Sequence, residues 1–141
     1  MSGRLMPPGR KYATWTVCTL IWTTGVAWLL LHYFGQRQGA FGMEANPAEI
    51  WMLRMHGAAA FAALWLLGLL WGVHVVRGWE QHKRRVSGAI LFGAALLLVV
   101  SGYLLYYLGD ETARAAVSLL HWLLGVIAAL LFLAHRLWRR A

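Results

Sequence analysis

Four histidines stand inside long apolar stretches of this sequence. His56 and His74 lie at the ends of HGAAAFAALWLLGLLWGVH, and His121 and His135 lie at the ends of HWLLGVIAALLFLAH. An ionisable side chain is costly in such surroundings, so it marks a functional site by default. Because neutral imidazole is a good ligand for iron and other transition metals, the four histidines are the candidate metal ligands of the chain.

The composition predicts that these stretches lie in a membrane. The chain has 141 residues, of which 60% are hydrophobic and only 13% are charged, whereas a soluble domain carries about a quarter charged residues. A membrane-spanning helix needs roughly 20 mostly apolar residues. Four segments satisfy this requirement and occupy most of the chain, which we therefore treat as one domain, residues 1–141: they are residues 12–34, 50–76, 86–108 and 115–134.

Short connections between these segments force neighbouring spans to run antiparallel, which predicts an all-α, up-down-up-down bundle of four transmembrane helices. Ten of the 13 basic residues fall on one side of this topology. The positive-inside rule then places both termini and the middle loop in the cytoplasm. The net charge of +8 is explained by this asymmetry, and a nucleic-acid partner is not expected. The ten residues are Arg4, Arg10, Lys11, Arg77, Lys83, Arg84, Arg85, Arg136, Arg139 and Arg140.

The spacing of the histidines predicts two pairs of facing imidazoles. Spans two and four run in the same direction, so His56 and His121 share the outer level while His74 and His135 share the inner level. Eighteen residues correspond to five full α-helical turns, and fourteen residues leave an offset of roughly 40°, so each helix presents its two histidines on one face. Each pair suits the two axial positions of a haem b, and we expect two haems in the chain.

The two helices differ in histidine spacing by four residues, or about 6 Å along the axis. Different helix tilts, or a bulge in span two near Gly68 or Gly72, could absorb part of this difference. Alternatively, His32 near the outer end of span one replaces His56 as the outer ligand.

Other residues are candidates for contacts with the cofactor. Gly25 and Gly102 occupy equivalent positions in a weak internal repeat, TGVAWLLLHYFG and SGYLLYYLGD, and we expect them to face a haem. Arg54, Arg77 and Arg136 lie close to the histidines and could bind haem propionates, although they serve equally well as topology-setting charges.

The ends of the spans carry further signals. Asn46 and Glu49 form a capping-box pattern at the start of span two, and Asp110 is placed to cap span four. Three tyrosines at the outer end of span three, with Asp110 or Glu111 as proton acceptors, could line a quinone pocket, but residues of an interfacial aromatic belt are the more economical interpretation. The tyrosines are Tyr103, Tyr106 and Tyr107.

Taken with the TG and SG steps of the repeat, the two histidine-bearing segments resemble small bacterial four-helix di-haem b-type cytochromes, especially the group associated with flavinylated extracytoplasmic proteins. The chain is more distantly similar to bacterial cytochrome b561 and respiratory cytochrome b. Span two departs from the cytochrome b spacing, because Ala60 stands fourteen residues before His74.

The resemblance implies an inner-membrane protein that moves electrons between the quinone pool and a periplasmic redox partner, a cytochrome or a flavoprotein. A single cysteine, Cys18, excludes c-type haem attachment through two thioethers. Two alternatives stay open: a quinone-coupled oxidoreductase that acts directly on a small oxidant such as superoxide, and a non-redox subunit that anchors or assembles a larger membrane complex.

Overall fold

A computed structural model describes residues 8–80 and 85–137 of the chain. Four helices in these ranges are long and apolar enough to cross a membrane, so the predicted all-α membrane fold class is confirmed. Several of the basic residues used for the topology prediction lie outside the described residues: Arg4, Lys83, Arg84, Arg139 and Arg140.

The helices follow the predicted spans closely. The elements, in chain order, are α1 (Pro8–Phe34), β1 (Arg37–Gly39), β2 (Gly42–Glu44), α2 (Ala48–Leu70), a π-helical turn (Trp71–Val75), α3 (Val76–Glu80), α4 (Arg85–Tyr107) and α5 (Glu111–Leu137). The first and last spanning helices each begin four residues earlier than the hydropathy predicts, because polar and charged residues at a membrane surface continue the backbone hydrogen bonding of an apolar helix.

The chain divides into two compact units, residues 1–74 and 75–141. In the first unit α1 packs on α2, and in the second α4 packs on α5. Each pair is antiparallel, as the short connections require. Most side chains on these helices are exposed, as expected for surfaces that contact lipid. The buried residues of the described ranges are few: Thr24, Ala59, Leu66 and Ser101.

The connection between α1 and α2 contains a small hairpin that the sequence analysis did not predict. Strands β1 and β2 pair antiparallel, with Arg37 opposite Glu44 and Gly39 opposite Gly42. Gly42 has φ +127°, a conformation that L side chains rarely adopt. Phe41 stands at the turn and is fully exposed.

Asn46 joins the end of α1 to the start of α2. Its Oδ1 accepts a hydrogen bond from the Ala48 N–H at 3.0 Å, and its Nδ2 donates to the Gly35 carbonyl at 3.0 Å. Asn46 therefore bonds the first N–H of α2 from one position before the N-cap residue, which is Pro47 and makes no side-chain cap bond of its own. The predicted capping box is wrong. The Glu49 carboxylate does not return to the backbone at this position, because its Oε1 pairs with His32. At the other predicted cap, Asp110 Oδ1 accepts from the Ala113 N–H at 2.7 Å.

We predict that Asn46→Ala lowers the free energy of unfolding by about 1–2 kcal/mol, because the helix loses its cap and the loop loses its tie to Gly35. Thermal or denaturant unfolding of the detergent-solubilised protein measures the change. Gln36→Ala is the matched control, since the Gln36 amide makes only an exposed 3.3 Å bond within the end of α1 and its removal should change stability by less than 0.5 kcal/mol, roughly the scatter of surface substitutions.

Candidate functional site

In the first unit, α1 holds the imidazole of His56 from one side. The Nδ1 atom of His56 lies 2.9 Å from the Ile21 carbonyl oxygen and 3.3 Å from Thr24 Oγ1. Thr24 is itself buried. The adjacent Gly25 permits this approach: a Cβ atom at position 25 would lie only 3.0 Å from His56 Cε1. A larger residue would therefore push the ring away from α1.

These contacts assign the tautomer of His56. The Thr24 hydroxyl has a single proton, which it donates within its own helix to the Leu20 carbonyl at 2.7 Å. A carbonyl oxygen can only accept, so the bond between His56 and Ile21 requires a proton on Nδ1. In the neutral ring, Nε2 then carries the lone pair. This is the state that metal-binding histidines adopt when a second hydrogen bond orients them.

The second unit repeats the arrangement at His121. Its Nδ1 lies 2.9 Å from Ser101 Oγ, and the Ser101 hydroxyl donates its proton to the Leu97 carbonyl at 2.7 Å. The serine oxygen must therefore accept from Nδ1–H, which again leaves the lone pair on Nε2. Gly102 lies against the same ring, since a Cβ atom there would be 3.3 Å from His121 Cε1. Ser101, like Thr24, is buried.

A second hydroxyl of α4 lies against the other histidine of α5. Ser87 Oγ is 2.8 Å from His135 Nδ1. Ser87 and Ser101 are fourteen residues apart, the same separation as His121 and His135. Because the two helices are antiparallel, one register of α4 on α5 satisfies both pairs at once. Two half-buried imidazoles of one helix are thus held at Nδ1 by two serines of its neighbour.

His74 lies in a different backbone environment. It falls in the π-helical turn Trp71–Val75, which confirms the suggestion of a bulge in span two near Gly72. A π turn holds more residues than an α turn, so the residues in it are rotated relative to their positions in a regular α-helix. The assumption of an unbroken α-helix from His56 to His74 is therefore wrong, and their common face stays a prediction. The side chain of His74 is half-buried.

His32, the alternative outer ligand, is engaged with a carboxylate. Its Nδ1 lies 2.7 Å from Glu49 Oε1. The imidazole stacks on Trp28, with a centroid separation of 4.7 Å and an interplanar angle of 14°, and meets the Tyr33 ring edge-on. The side chain is 44% exposed. His32 and His56 thus lie in the same unit but in different surroundings, one half-exposed beside a carboxylate and the other enclosed by α1.

The remaining predicted site residues lie near the ends of the helices. Arg54 is exposed and its guanidinium lies 5.0 Å from the centre of the Trp51 ring. Arg77 is exposed on α3, and Arg136 is half-buried in the last turn of α5. Gly25 and Gly102 contact the imidazoles, and their predicted contact with a haem stays a prediction.

The tyrosines at the end of α4 do not form an enclosed site within their unit. Tyr103 and Tyr107 pack together at 4.5 Å, and each of the three tyrosines is more than half exposed. Asp110, the acid proposed to accept protons there, uses a carboxylate oxygen as a helix cap. Exposure of this kind fits the aromatic-belt interpretation of these residues.

Sequence reasoning missed the three hydroxyls that hold the imidazoles. It selected the glycines of the TG and SG steps and passed over Thr24 and Ser101 beside them. A signal was present for Ser87 and Ser101, whose separation equals that of the two histidines on the next helix. Hydroxyl side chains in apolar helices usually bond to their own backbone, so only the matching spacing distinguishes them.

The fold and the site define a four-helix membrane protein whose helix pairs each carry hydrogen-bonded, half-buried histidines. Comparison of the chain with protein-family models, with curated proteins and with solved structures gives no match.

We predict that Ser101→Ala destabilises the protein by about 1–3 kcal/mol, because the Nδ1–H of His121 loses its acceptor in a membrane environment. Ser101→Thr should retain wild-type stability, since threonine performs the same role at Thr24 in the first unit. Ser118→Ala on α5 serves as the control for removal of a hydroxyl. Thermal unfolding in detergent gives the stability, and the ¹⁵N shifts of the histidine ring report whether the Nδ1 proton is retained. Equal unfolding temperatures for Ser101→Ala and Ser118→Ala would contradict the assignment.

Proposed function

We propose that this chain is a transmembrane di-haem b-type cytochrome, with His56 and His121 as axial ligands of an outer haem and His74 and His135 as ligands of an inner haem. The observation that carries the proposal is the repeated hydroxyl–imidazole contact of the two units. Both units orient an intramembrane histidine through Nδ1 and leave the lone pair on Nε2, which is the requirement for a metal ligand.

The donor set fits a haem better than a bare metal ion. Within residues 8–80 and 85–137, no group of three or more histidine, cysteine, aspartate or glutamate side chains is close enough to hold an ion. A haem needs only two axial ligands from the protein, because the porphyrin supplies the other four. Imidazoles contributed singly from separate helices suit that cofactor.

Of the two candidates for the outer ligand, His56 is favoured over His32. The His56 ring is enclosed between its own helix and the Thr24–Gly25 step of α1, whereas His32 is 44% exposed. His121 has the same surroundings as His56, a hydroxyl at Nδ1 and a glycine against the ring. Each of these two imidazoles is therefore oriented in the same way within its own unit.

Haem supplies reversible one-electron chemistry when it is bound. The chain contributes the imidazoles, the low dielectric around them, and cations at the helix ends. We assign Arg54, Arg77 and Arg136 to pairing with propionates, because guanidinium binds carboxylate through two parallel hydrogen bonds. The function that follows is electron transfer across the bacterial inner membrane, between the quinone pool and a periplasmic cytochrome or flavoprotein.

Haem quantitation with reduced-minus-oxidised spectra tests this function. The wild-type protein is expected to hold two haems b per chain. Each of the substitutions His56→Ala, His74→Ala, His121→Ala and His135→Ala should remove at least one haem, because the haem that this imidazole would hold loses one of its two protein ligands. His32→Ala is the matched control, because it removes an imidazole that the proposal does not assign to a haem. This variant should retain two haems.

Two results would contradict the proposal. If the protein is colourless after expression with ample haem, it is not a cytochrome. Loss of a haem in His32→Ala, with both haems retained in His56→Ala, would transfer the outer ligand to α1.

The orientation proposed from the charge asymmetry has its own test. Phe41, at the exposed turn of the hairpin, is expected on the periplasmic side. Phe41→Cys in a Cys18→Ser background should react with a membrane-impermeant maleimide in cells whose outer membrane alone is permeabilised. A reaction only after lysis of the inner membrane would invert the topology. The Cys18→Ser protein without the new cysteine controls for background labelling.

A further inference from the structure

A second chemical centre lies at the hairpin end of the first unit, apart from His56. It consists of His32 in the last turn of α1 and Glu49 in the first turn of α2, joined by the 2.7 Å contact between Nδ1 and Oε1. Asn46 joins the two helix ends through its bonds to Gly35 and Ala48. The proposed outer haem site does not use either residue.

The carboxylate of the pair is mostly buried. Glu49 is 15% exposed, and its second oxygen, Oε2, is buried without a hydrogen-bond partner in the described part of the chain. With a neutral imidazole donating Nδ1–H to an ionised carboxylate, the pair carries a charge of −1 in a partly buried place. An imidazolium formed on His32 would lie against the Glu49 carboxylate and be stabilised by its charge. His32 and Glu49 together are therefore a proton acceptor.

The atom of the pair that can accept a proton from a ligand is Nε2 of His32. Donation from Nδ1 to Glu49 leaves the lone pair of the neutral ring on Nε2, and the His32 side chain is 44% exposed. Trp28 covers one face of the ring and Tyr33 meets it edge-on. Phe34, next in the chain, is 83% exposed. His32 Nε2 is thus a hydrogen-bond acceptor surrounded by aromatic side chains at the end of a membrane helix. An apolar aromatic alcohol has the chemistry to bind at such a position.

We propose that the His32–Glu49 pair binds a hydroquinone and acts as the general base for its oxidation. This rests on the proposed function and names the residues through which the quinone pool is coupled to it. His32 Nε2 accepts a hydrogen bond from a hydroquinone hydroxyl and then takes its proton, and the Glu49 carboxylate stabilises the imidazolium. A carboxylate orients and supports a histidine base in the same way in hydrolases.

The step balances with an oxidant that the proposed function provides. One hydroquinone loses two protons and two electrons to become quinone. Its two O–H bonds break, the protons leave one after the other through His32 to the surrounding water, and the two electrons would go to the oxidised haems of the proposed function, one to each. The exposed part of His32 provides the exit to water.

Stopped-flow reduction of the oxidised holoprotein tests the proposal. A short-chain 1,4-hydroquinone is one reductant, and dithionite, which needs no proton acceptor, is the other. His32→Gln should slow reduction by the hydroquinone about 100-fold, in the range lost when a general base is removed. Glu49→Gln should slow it about tenfold, because the base survives without its supporting charge. Both variants should match the wild type with dithionite.

Glu44→Gln is the matched control. Glu44 is another carboxylate near the same end of the unit, but it lies on β2, opposite Arg37, and it is exposed. Its neutralisation should leave both reductions unchanged. An equal slowing in Glu44→Gln and Glu49→Gln would assign the effect to surface charge and overturn the proposal.

Binding is measured separately from turnover in dithionite-reduced protein, where the hydroquinone cannot be oxidised. Addition of the hydroquinone should shift the ¹⁵N resonance of His32 Nε2, identified by its absence in His32→Gln. An unchanged His32 resonance, together with wild-type reduction rates in His32→Gln and Glu49→Gln, would overturn the assignment of this site. The cytochrome function would still be supported in that case if the protein held two haems per chain. Loss of a haem in His32→Gln would identify His32 as a ligand and also overturn the proposal.

Discussion

The hydrogen bond between a helix hydroxyl and an imidazole Nδ1 is the interaction on which the rest of this molecule depends. In a medium without water, a polar ring must find a partner within the protein. Thr24 and Ser101 meet that need only because their own protons are already bonded to backbone carbonyls one turn back. The hydroxyl oxygen then accepts, the ring proton is confined to Nδ1, and the other ring nitrogen is left as a base. One bond thus sets both the position and the chemical character of the imidazole.

Both halves of the chain satisfy this constraint with the same local design. A hydroxyl residue is followed by glycine on the first helix of each pair, and the histidine comes from the second helix. The glycine lets the ring reach the hydroxyl. The halves differ in detail, since the Ile21 carbonyl shares the Nδ1 proton of His56 with Thr24. The TG and SG steps of the sequence repeat occupy equivalent positions in the two antiparallel helix pairs. The repeat therefore corresponds to a shared structural role, although apolar composition alone could have produced the sequence similarity.

The sequence predicts the parts of the fold that depend on many residues together. Hydropathy averaged over about 20 residues places all four spans, because the energy of membrane insertion sums over the whole segment. The cap at Asp110 is also predictable, since it needs only residues three positions apart in sequence.

Features that depend on one or two residues escape such reasoning. Strands of three residues are too short to show a period, and the π turn at His74 is indicated only indirectly, by the four-residue difference in histidine spacing between the two helices. Glu49 fits a capping box, but His32 of another helix competes for its carboxylate, and only the tertiary structure brings the two together. In the candidate site, the histidines stand out because they are rare in apolar helices. Thr24, Ser87 and Ser101 do not, because hydroxyls that bond their own helix are common there.

The equal spacing of the serines on α4 and the histidines on α5 joins two distant contacts into one constraint. A slide of one helix past the other would break both hydrogen bonds together, so the pair has a single register. Its two imidazoles are separated by about 21 Å along α5, from the rise per residue. If the bilayer thins or thickens, helices α4 and α5 can tilt together as a rigid body to match it. The separation between the two imidazole rings then stays the same. The span between the histidines is therefore set by the protein and does not depend on the lipids around it.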